Sequence, residues 1–301
     1  MPLKTRFIVN LRSGGAARLV GPVREFARQR DAEVALTEHV RHASTLAAQA
    51  VTDGIELVVA VGGDGTMNEV ATALVGTSAT LGLIPAGSGD GFGRHLGLHG
   101  PLPHALGILD HGRIQTIDTG VADGHAFFCA AGIGFEAEIA HRFNQSHRRG
   151  FFRYLLTSAR AFRTWTPQDY TLSQGLHRQT LRAFTLVVAN ASQYGNNARI
   201  APRACMYDGK LDLCVVPPLT LWNLPTLAAR LFTGKIDSAP GVVSRQSERF
   251  VIERAAPGFL HTDGELHEAG TRIEFTMRPA SLRVKVPAGA DAEARRRETF
   301  A

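Results

Sequence analysis

Three glycines surround one aspartate in Gly62-Gly63-Asp64-Gly65-Thr66, directly after the apolar run 57–61. Glycine has no Cβ, so backbone N–H groups there can approach phosphate oxygens, and a helix starting at this point adds the positive end of its dipole. Asp64 would repel a phosphate at neutral pH; its expected tasks are to hold Mg2+ through water or to position a hydroxyl. A plain strand-to-helix turn needs one or two glycines and no aspartate between them. The loop follows neither the Walker A spacing nor the dinucleotide GxGxxG pattern.

A second loop of the same kind occupies 84–98, IPAGSGDGFGRHLGL, where Gly87, Gly89, Gly91 and Gly93 flank Ser88 and Asp90. Two glycine loops at successive strand ends predict a cradle for a nucleotide or polyphosphate. Far downstream, HTDGELHE at 261–268 sets Asp263 and Glu265 on a tight turn, a pair suited to general-base chemistry or Mg2+ coordination. In RACMYDGKLDLCVV at 203–216, Asp208-Gly209 makes a turn and Asp212 lies in the strand that follows, so a cation could sit on one carboxylate plus backbone carbonyls. Asp-Gly is also a common hairpin dipeptide, and at both turns the spacing alone favours the hairpin.

These residues need a scaffold, and the hydrophobic pattern supplies one. RFIVN, AEVALTEH, IELVVAV and TLGLIPAG read as strands, alternating with helix patterns at 16–30, in ASTLAAQAV and in MNEVATALVG. That alternation through about residue 120 predicts a doubly wound α/β domain with its ligand at the carboxyl edge of a parallel sheet. After Val121 the chain turns to short apolar or alternating runs such as AFFCAAGIG, RFVIER and TRIEFTM, with helix patterns only at 137–164 and 219–234. This half predicts a mostly antiparallel β-sandwich. The expected domains are 1–121, binding nucleotide, and 122–287, binding substrate. The segment 288–301, a short charged helix or a frayed end, is expected to pack back on the first.

With 301 residues, two domains of about 100–200 residues fit. The composition, 44% hydrophobic and 20% charged, allows a full core. No apolar run reaches the roughly 18–20 residues that span a bilayer, and the N-terminus lacks the features of a secretory signal. Cys129, Cys205 and Cys214 share no metal-ligand spacing. A cytoplasmic location with peripheral membrane association is expected. The net charge of +6 is compatible with nucleic acid, an anionic membrane or a polyanion such as ATP. The cations are dispersed apart from HRRGFFR at 147–153 and ARRR at 294–297, and no zinc-finger or RNA-recognition pattern accompanies them, so nucleic acid is not expected. Exposed strand edges could pair in a homodimer.

Taken in order, GGDGTMNEV (62–70), IPAGSGDGFGRHLGL (84–98), AAGIGFEAEIA (130–140), NASQYGNNARIAPRACMYDGKLDL (190–213) and TDGE (262–265) resemble the successive blocks of the diacylglycerol kinase and sphingosine kinase family. GGDGT by itself is shared with NAD kinases and phosphofructokinases; the series of blocks is far more specific. The resemblance implies an NAD-kinase- and phosphofructokinase-like N-terminal domain. It implies an ATP-dependent lipid kinase moving the γ-phosphate to a hydroxyl of diacylglycerol or of a sphingoid or ceramide lipid, with ATP and Mg2+ required. ATP contacts would come from Asn10, Thr37, Gly62, Gly63, Asp64, Gly65, Thr66, Asn68, Glu69, Gly87 and Ser88, with Arg149 and Arg153 reaching the phosphates. Asp263 or Glu265 would help deprotonate the acceptor, with Asp64 close by. Glu138 and Asp90 would meet the lipid, and Phe127, Phe128, Phe135, Phe151 and Phe152 lie where they could wall its tail or simply fill a core. Asp208 would bind a structural Mg2+ with the carbonyls of Cys205 and Lys210. The second loop departs from the G-T-x-N-D of bacterial diacylglycerol kinases, with Gly87-Ser88-Gly89-Asp90-Gly91 in its place. The rival readings are an NAD kinase-like soluble small-molecule kinase, which lacks support from any Thr-Pro-Thr-Gly-Ser-type segment, and a non-catalytic nucleotide- or lipid-binding regulator.

Overall fold

The strand Leu57–Gly62 is buried along its entire length. Five consecutive apolar residues with no polar alternation can only sit in a sheet covered on both faces, and that requirement organises the first half of the chain. A computed structural model describes residues 3–144 and 161–289. By its contacts the chain divides into two units. One comprises the residues up to Thr119, Tyr194–Asn196 and the segment from Pro279 on; the other comprises Gly120–Gln193 and Asn197–Arg278.

In the first unit, strands β1 (Thr5–Val9), β2 (Glu33–Leu36), β3 (Leu57–Gly62) and β4 (Thr80–Pro85) alternate with helices α1 (Ala16–Arg28), α2 (His42–Thr52) and α3 (Asp64–Leu74). The strands are parallel in the order β2-β1-β3-β4. This is the doubly wound arrangement that the alternating pattern predicts. Phe7, Val9, Leu57, Val59, Val61 and Ile84 on one sheet face pack against Ala16, Val23 and Ala27 of α1. Helices α4 (Gly91–Leu96) and α5 (Leu102–His111) follow β4, and α5 leads into β5 (Arg113–Ala122).

The second unit is a sandwich. Its strands are β6 (His125–Phe127), β7 (Ala130–Gly134), β8 (Gln168–Gln174), β9 (His177–Ala183), β10 (Thr185–Ala189), β11 (Leu211–Val216), β12 (Val243–Ser247), β13 (Arg249–Arg254), β14 (Gly258–Thr262), β15 (Glu265–Ala269) and the first half of β16 (Arg272–Val286). One layer runs β12-β11-β10-β7-β14-β15, antiparallel throughout. The other pairs β16, β13, β8 and β9, also antiparallel. Side chains from both layers, among them Ile133, Tyr170, Leu186, Leu213, Phe250 and Phe275, form one core. Helix α6 (Phe135–Asn144) and helix Leu224–Thr233 are its helical additions.

The first unit takes in the end of the chain because β16 changes partners part-way. Its residues Arg272–Thr276 pair antiparallel with β13, whereas Arg283 and Val284 pair parallel with β4. The change falls at Pro279-Ala280, where proline removes a ladder donor and Ala280 takes a left-handed φ of 46°. Asp118 Oδ1 fixes the kink by accepting from Ala280 N at 2.7 Å. Of the 137–164 helix pattern, the structure describes α6 and the short turn at 161–164; the rest lies outside the described residues, as do Arg149, Arg153, Phe151, Phe152 and 290–301. Phe127 and Phe128 are fully buried; Phe135 is packed against Phe184, Phe162 and Trp165.

Phe250 is fully buried and directly opposite Phe275 in the β13–β16 pair. Phe250→Ala should lower unfolding free energy by about 3–5 kcal/mol in urea titration, and a loss below about 1 kcal/mol would show that the sandwich core does not depend on that ring.

Candidate active site

The register of the parallel sheet brings the carboxyl ends of its strands to one edge: Val9 pairs with Val61 and Leu36, and Gly62 with Pro85. Asn10, Thr37, the 62–66 loop and the 86–90 loop therefore converge. Asn10 Nδ2 donates to Thr66 Oγ1 at 2.9 Å, and Thr37 Oγ1 donates to Asn10 Oδ1 at 3.3 Å. Thr37 and Thr66, expected at ATP, are buried, and these hydrogen bonds make their hydroxyls braces of the edge. Gly62 is buried too, and a Cβ there would run into the Thr66 side chain.

The two glycine loops are tied together by Asp64. Its carboxylate accepts from Asp90 N at 3.1 Å through Oδ2 and from Gly91 N at 3.3 Å through Oδ1. Burial pushes the Asp64 carboxyl above its usual range and the nearby Asp90 charge adds to this, while the backbone donors act in the opposite direction. The loops touch so closely that most of their glycines have no room for a side chain. A Cβ on Gly87 would lie 2.9 Å from Gly63 Cα, on Gly89 2.7 Å from Asp64 Oδ2, and on Gly91 2.5 Å from Tyr194 O. Gly65 is different: it is exposed at the first turn of α3, with nothing within 4 Å of its Cβ position. Ser88 is exposed as well, and Asn68 and Glu69 are half-buried on the same helix as Gly65. Glu69 Oε2 accepts from Ser44 N at 3.4 Å.

Asp90, expected at the lipid, is buried within its own loop. It sits in the left-handed region at the N-cap of α4, accepting from Gly93 N at 3.1 Å, and its other oxygen lies 2.7 Å from His99 Nδ1. That disposition gives the carboxylate a structural task. Ser13 escaped the sequence reading, and nothing in the 190–213 block places its 194–196 segment at the second loop. Ser13 Oγ accepts from Gly63 N at 2.7 Å, and Asn196 N donates to Gly89 O at 3.2 Å, so a segment about a hundred residues downstream completes the second loop. The Ser-Gly-Gly after β1 was a usable signal for the first; nothing local marks the second.

In the second unit Asp263 and Gly264 both have positive φ, 50° and 85°, between strands paired at Thr262 and Glu265. This is the two-residue hairpin favoured by spacing alone. The same aspartate also acts as a clamp: its carboxylate accepts from Phe128 N at 2.7 Å, Cys129 N at 2.8 Å and Ala130 N at 2.9 Å. The residue as a whole is half-buried, but the carboxylate is enclosed by these amides; burial pushes it up and the three donors pull it down. Asn190 secures the same segment from its other side, Nδ2 donating to Phe128 O at 3.0 Å and N to Cys129 O at 2.8 Å. Glu265 is exposed.

Glu138 lies on α6, bound to Arg142 Nε at 2.6 Å, and lines a cavity of ≈420 Å³ with Trp165, Arg254 and Phe259. Asp208 Oδ1 accepts from Lys210 N at 3.1 Å, and Cys205 is half-buried nearby in sequence. Asp212, nine-tenths buried, accepts from Gln246 Nε2 at 3.0 Å, while its Oδ2 has no hydrogen-bond partner. Burial, with a contribution from Asp208, pushes the Asp212 carboxyl to about 7. Among the described residues no three acidic, histidine or cysteine side chains converge on one point, so a cation at Asp208 would need backbone carbonyls as well.

Comparison with known proteins follows the same two halves. Residues 4–122 match the diacylglycerol kinase catalytic domain, and residues 129–286 match the YegS C-terminal NAD kinase beta sandwich-like domain. A protein of Pseudomonas putida named probable lipid kinase YegS-like is 30% identical over 85% of this chain and 86% of its own length. Its Pseudomonas aeruginosa counterpart is 29% identical over 86% of each. An uncharacterized Synechocystis protein is 27% identical over 78% of this chain, which spans only 56% of that relative's length. In fold, a diacylglycerol kinase from Bacillus anthracis superposes with a TM-score of 0.73 at 18% identity, covering 96% of this chain and 98% of that one. An NAD kinase from Archaeoglobus fulgidus gives 0.54 at 14% identity, with 98% and 97% covered. The chain belongs to the YegS-like family, in which a diacylglycerol kinase catalytic domain is joined to this sandwich and whose members carry the name probable lipid kinase. Among the described residues no helix is long and apolar enough to cross a membrane.

The clamp and the exposed carboxylate should separate cleanly on mutation. Asp263→Ala strands three backbone donors and should lower unfolding free energy by about 3–5 kcal/mol in chemical denaturation. Glu265→Ala should stay within about 1 kcal/mol of the parent. Equal effects would remove the distinction.

Proposed function

We propose that this protein is an ATP-dependent lipid kinase, acting on a hydroxyl of diacylglycerol or of a sphingoid or ceramide lipid. The observation that carries the reading is the contrast among the glycines: Gly87, Gly89 and Gly91 are filled by protein, while Gly65, at the N-terminus of α3, faces open space, and Ser88 of the second loop is exposed. A helix start of this kind, with no side chain over it, suits phosphate oxygens.

Phosphoryl transfer asks mainly for positioning and charge neutralisation. The Gly65 turn and Ser88 would hold the phosphates, held in turn by Asp64 and by the Asn10–Thr66 bond. The acceptor oxygen bonds the γ-phosphorus as the bond to the β-phosphate oxygen breaks and ADP leaves; the hydroxyl proton goes to a carboxylate. By the resemblance the proton would go to Asp263 or Glu265, with Asp64 close by; Asp263, which accepts from three backbone amides, would also hold the turn that carries Glu265. Glu138, at its cavity, is assigned to the lipid's polar end. Arg149 and Arg153 remain assigned to the phosphates from the family pattern. Mg2+ would offset phosphate charge during transfer. At the structural position, Asp208 and the Cys205 and Lys210 carbonyls would hold a cation, and the orphaned, buried Asp212 oxygen beside them fits such an ion.

Transfer of labelled γ-phosphate from ATP to lipids in mixed micelles tests the activity: one lipid class should be labelled, and labelling of NAD alone would move the assignment to a soluble small-molecule kinase. Gly65→Ala should unfold like the parent yet bind ATP at least about tenfold more weakly by calorimetry. Gly89→Ala should lose stability as well, since its methyl meets Asp64. ATP affinity unchanged in Gly65→Ala would sink the phosphate assignment.

Added Mg2+ without nucleotide should raise the melting temperature, and Asp208→Asn should abolish that response. An identical rise in both proteins would place the cation elsewhere.

A further inference from the structure

Helix Leu224–Thr233 has no fully buried residue, although most of its side chains are apolar. Leu224, Leu227, Ala228 and Leu231 recur at helical spacing and are half-buried, so one stripe already has its cover. Leu224 N donates to Thr220 O at 3.1 Å and Leu227 N to Asn223 O at 3.0 Å, which carries the helical turn back through the residues before the helix. On that extension Trp222, Pro225, Ala229 and Phe232 follow at i, i+3, i+7 and i+10, and all of them are exposed. Trp222 is 92% exposed, neighbouring Leu221 73% and Phe232 49%. The helix thus carries a second apolar stripe that nothing among the described residues of its own unit covers.

The charges in and beside this stripe are cationic but for Asp237, which pairs with Arg203 Nε at 3.0 Å. No acidic residue occurs from 213 to 236, an interval that includes Arg230 and Lys235. Arg199 is anchored here too, its N–H donating to Leu231 O at 2.9 Å and its side chain lying against Gly234. Arg199 and Lys235 are exposed.

We propose that this surface docks on an anionic lipid bilayer, with Leu221, Trp222 and Phe232 entering the boundary between headgroups and acyl chains and Arg199 and Lys235 meeting lipid phosphates. Tryptophan favours such a boundary because its ring is apolar and its N–H polar. An uncovered apolar stripe flanked by cations is the pattern of a helix that lies in the interface plane. A second copy of the chain fits less well: a two-fold contact would press like cations together with no acidic residue in the stripe to offset them. The inference rests on this unit's surface alone and holds whether or not the protein transfers phosphate.

The chain has two tryptophans, Trp165 and Trp222, so the emission of the parent minus that of Trp222→Phe isolates Trp222 without disturbing Trp165. With vesicles of phosphatidylcholine and phosphatidylglycerol at 7:3 by design (about that ratio keeps the surface anionic), this difference emission should shift to the blue and be quenched by brominated lipid. Leu221→Ala with Trp222→Ala should weaken co-sedimentation with those vesicles at least about tenfold, and Lys235→Gln about fivefold, with melting temperatures unchanged in both. Emission that ignores vesicles, or co-sedimentation unchanged in the double variant, overturns the proposal. A blue shift that instead follows protein concentration in the absence of vesicles assigns the stripe to a second copy and overturns it equally.

Discussion

Two backbone amides of the second glycine loop end on the carboxylate of Asp64, which belongs to the first. The geometry of the candidate nucleotide site depends on that tie. A carboxylate drawn partly out of water is costly unless donors surround it, and here the donors are N–H groups that a glycine-rich loop leaves free. The close approach follows: Gly87, Gly89 and Gly91 each lie where a methyl group would strike backbone or Asp64 itself. The loop's composition is therefore a packing requirement before it is a ligand requirement. What remains for a ligand is the small part of the loops that the tie does not consume.

The sandwich uses the same device. Asp263 turns a hairpin and, in doing so, points its carboxylate at three successive amides of residues 128–130. That arrangement fixes the direction of the strand that follows, β7, at the centre of its layer, and it leaves Glu265 on the exposed side of the turn. In each unit, then, an invested aspartate holds backbone so that a neighbouring group, Gly65 or Glu265, is presented in a defined place. Preorganisation of this sort lowers the ordering required when a charged ligand arrives.

The departure of the second loop from the pattern of bacterial diacylglycerol kinases has a local explanation. Gly91 packs against the Tyr194 carbonyl, so no larger residue fits there without displacing the 194–196 segment. Asp90 in turn closes α4 and is held by His99. The variation is accommodated by a contact distant in sequence and a histidine nine residues on, not by a change in the course of the sheet.

Much of this was legible in the chain itself. The run 57–61 demanded a doubly covered strand, the alternation around it demanded the parallel sheet, and the turn chemistry of Asp263-Gly264 demanded a hairpin; each is a local rule of periodicity or of φ, which sequence carries directly. The order of blocks carried the family. What only the tertiary structure decided were the partners of the polar groups. That Asp64 faces Asp90 and Gly91, that Thr37 and Thr66 turn inward, that Tyr194 returns to Gly91, and that β16 kinks at Ala280 to change partners all depend on segments tens to hundreds of residues apart. Hydrogen-bond partners across such distances are set by strand register and packing, and no local pattern encodes them.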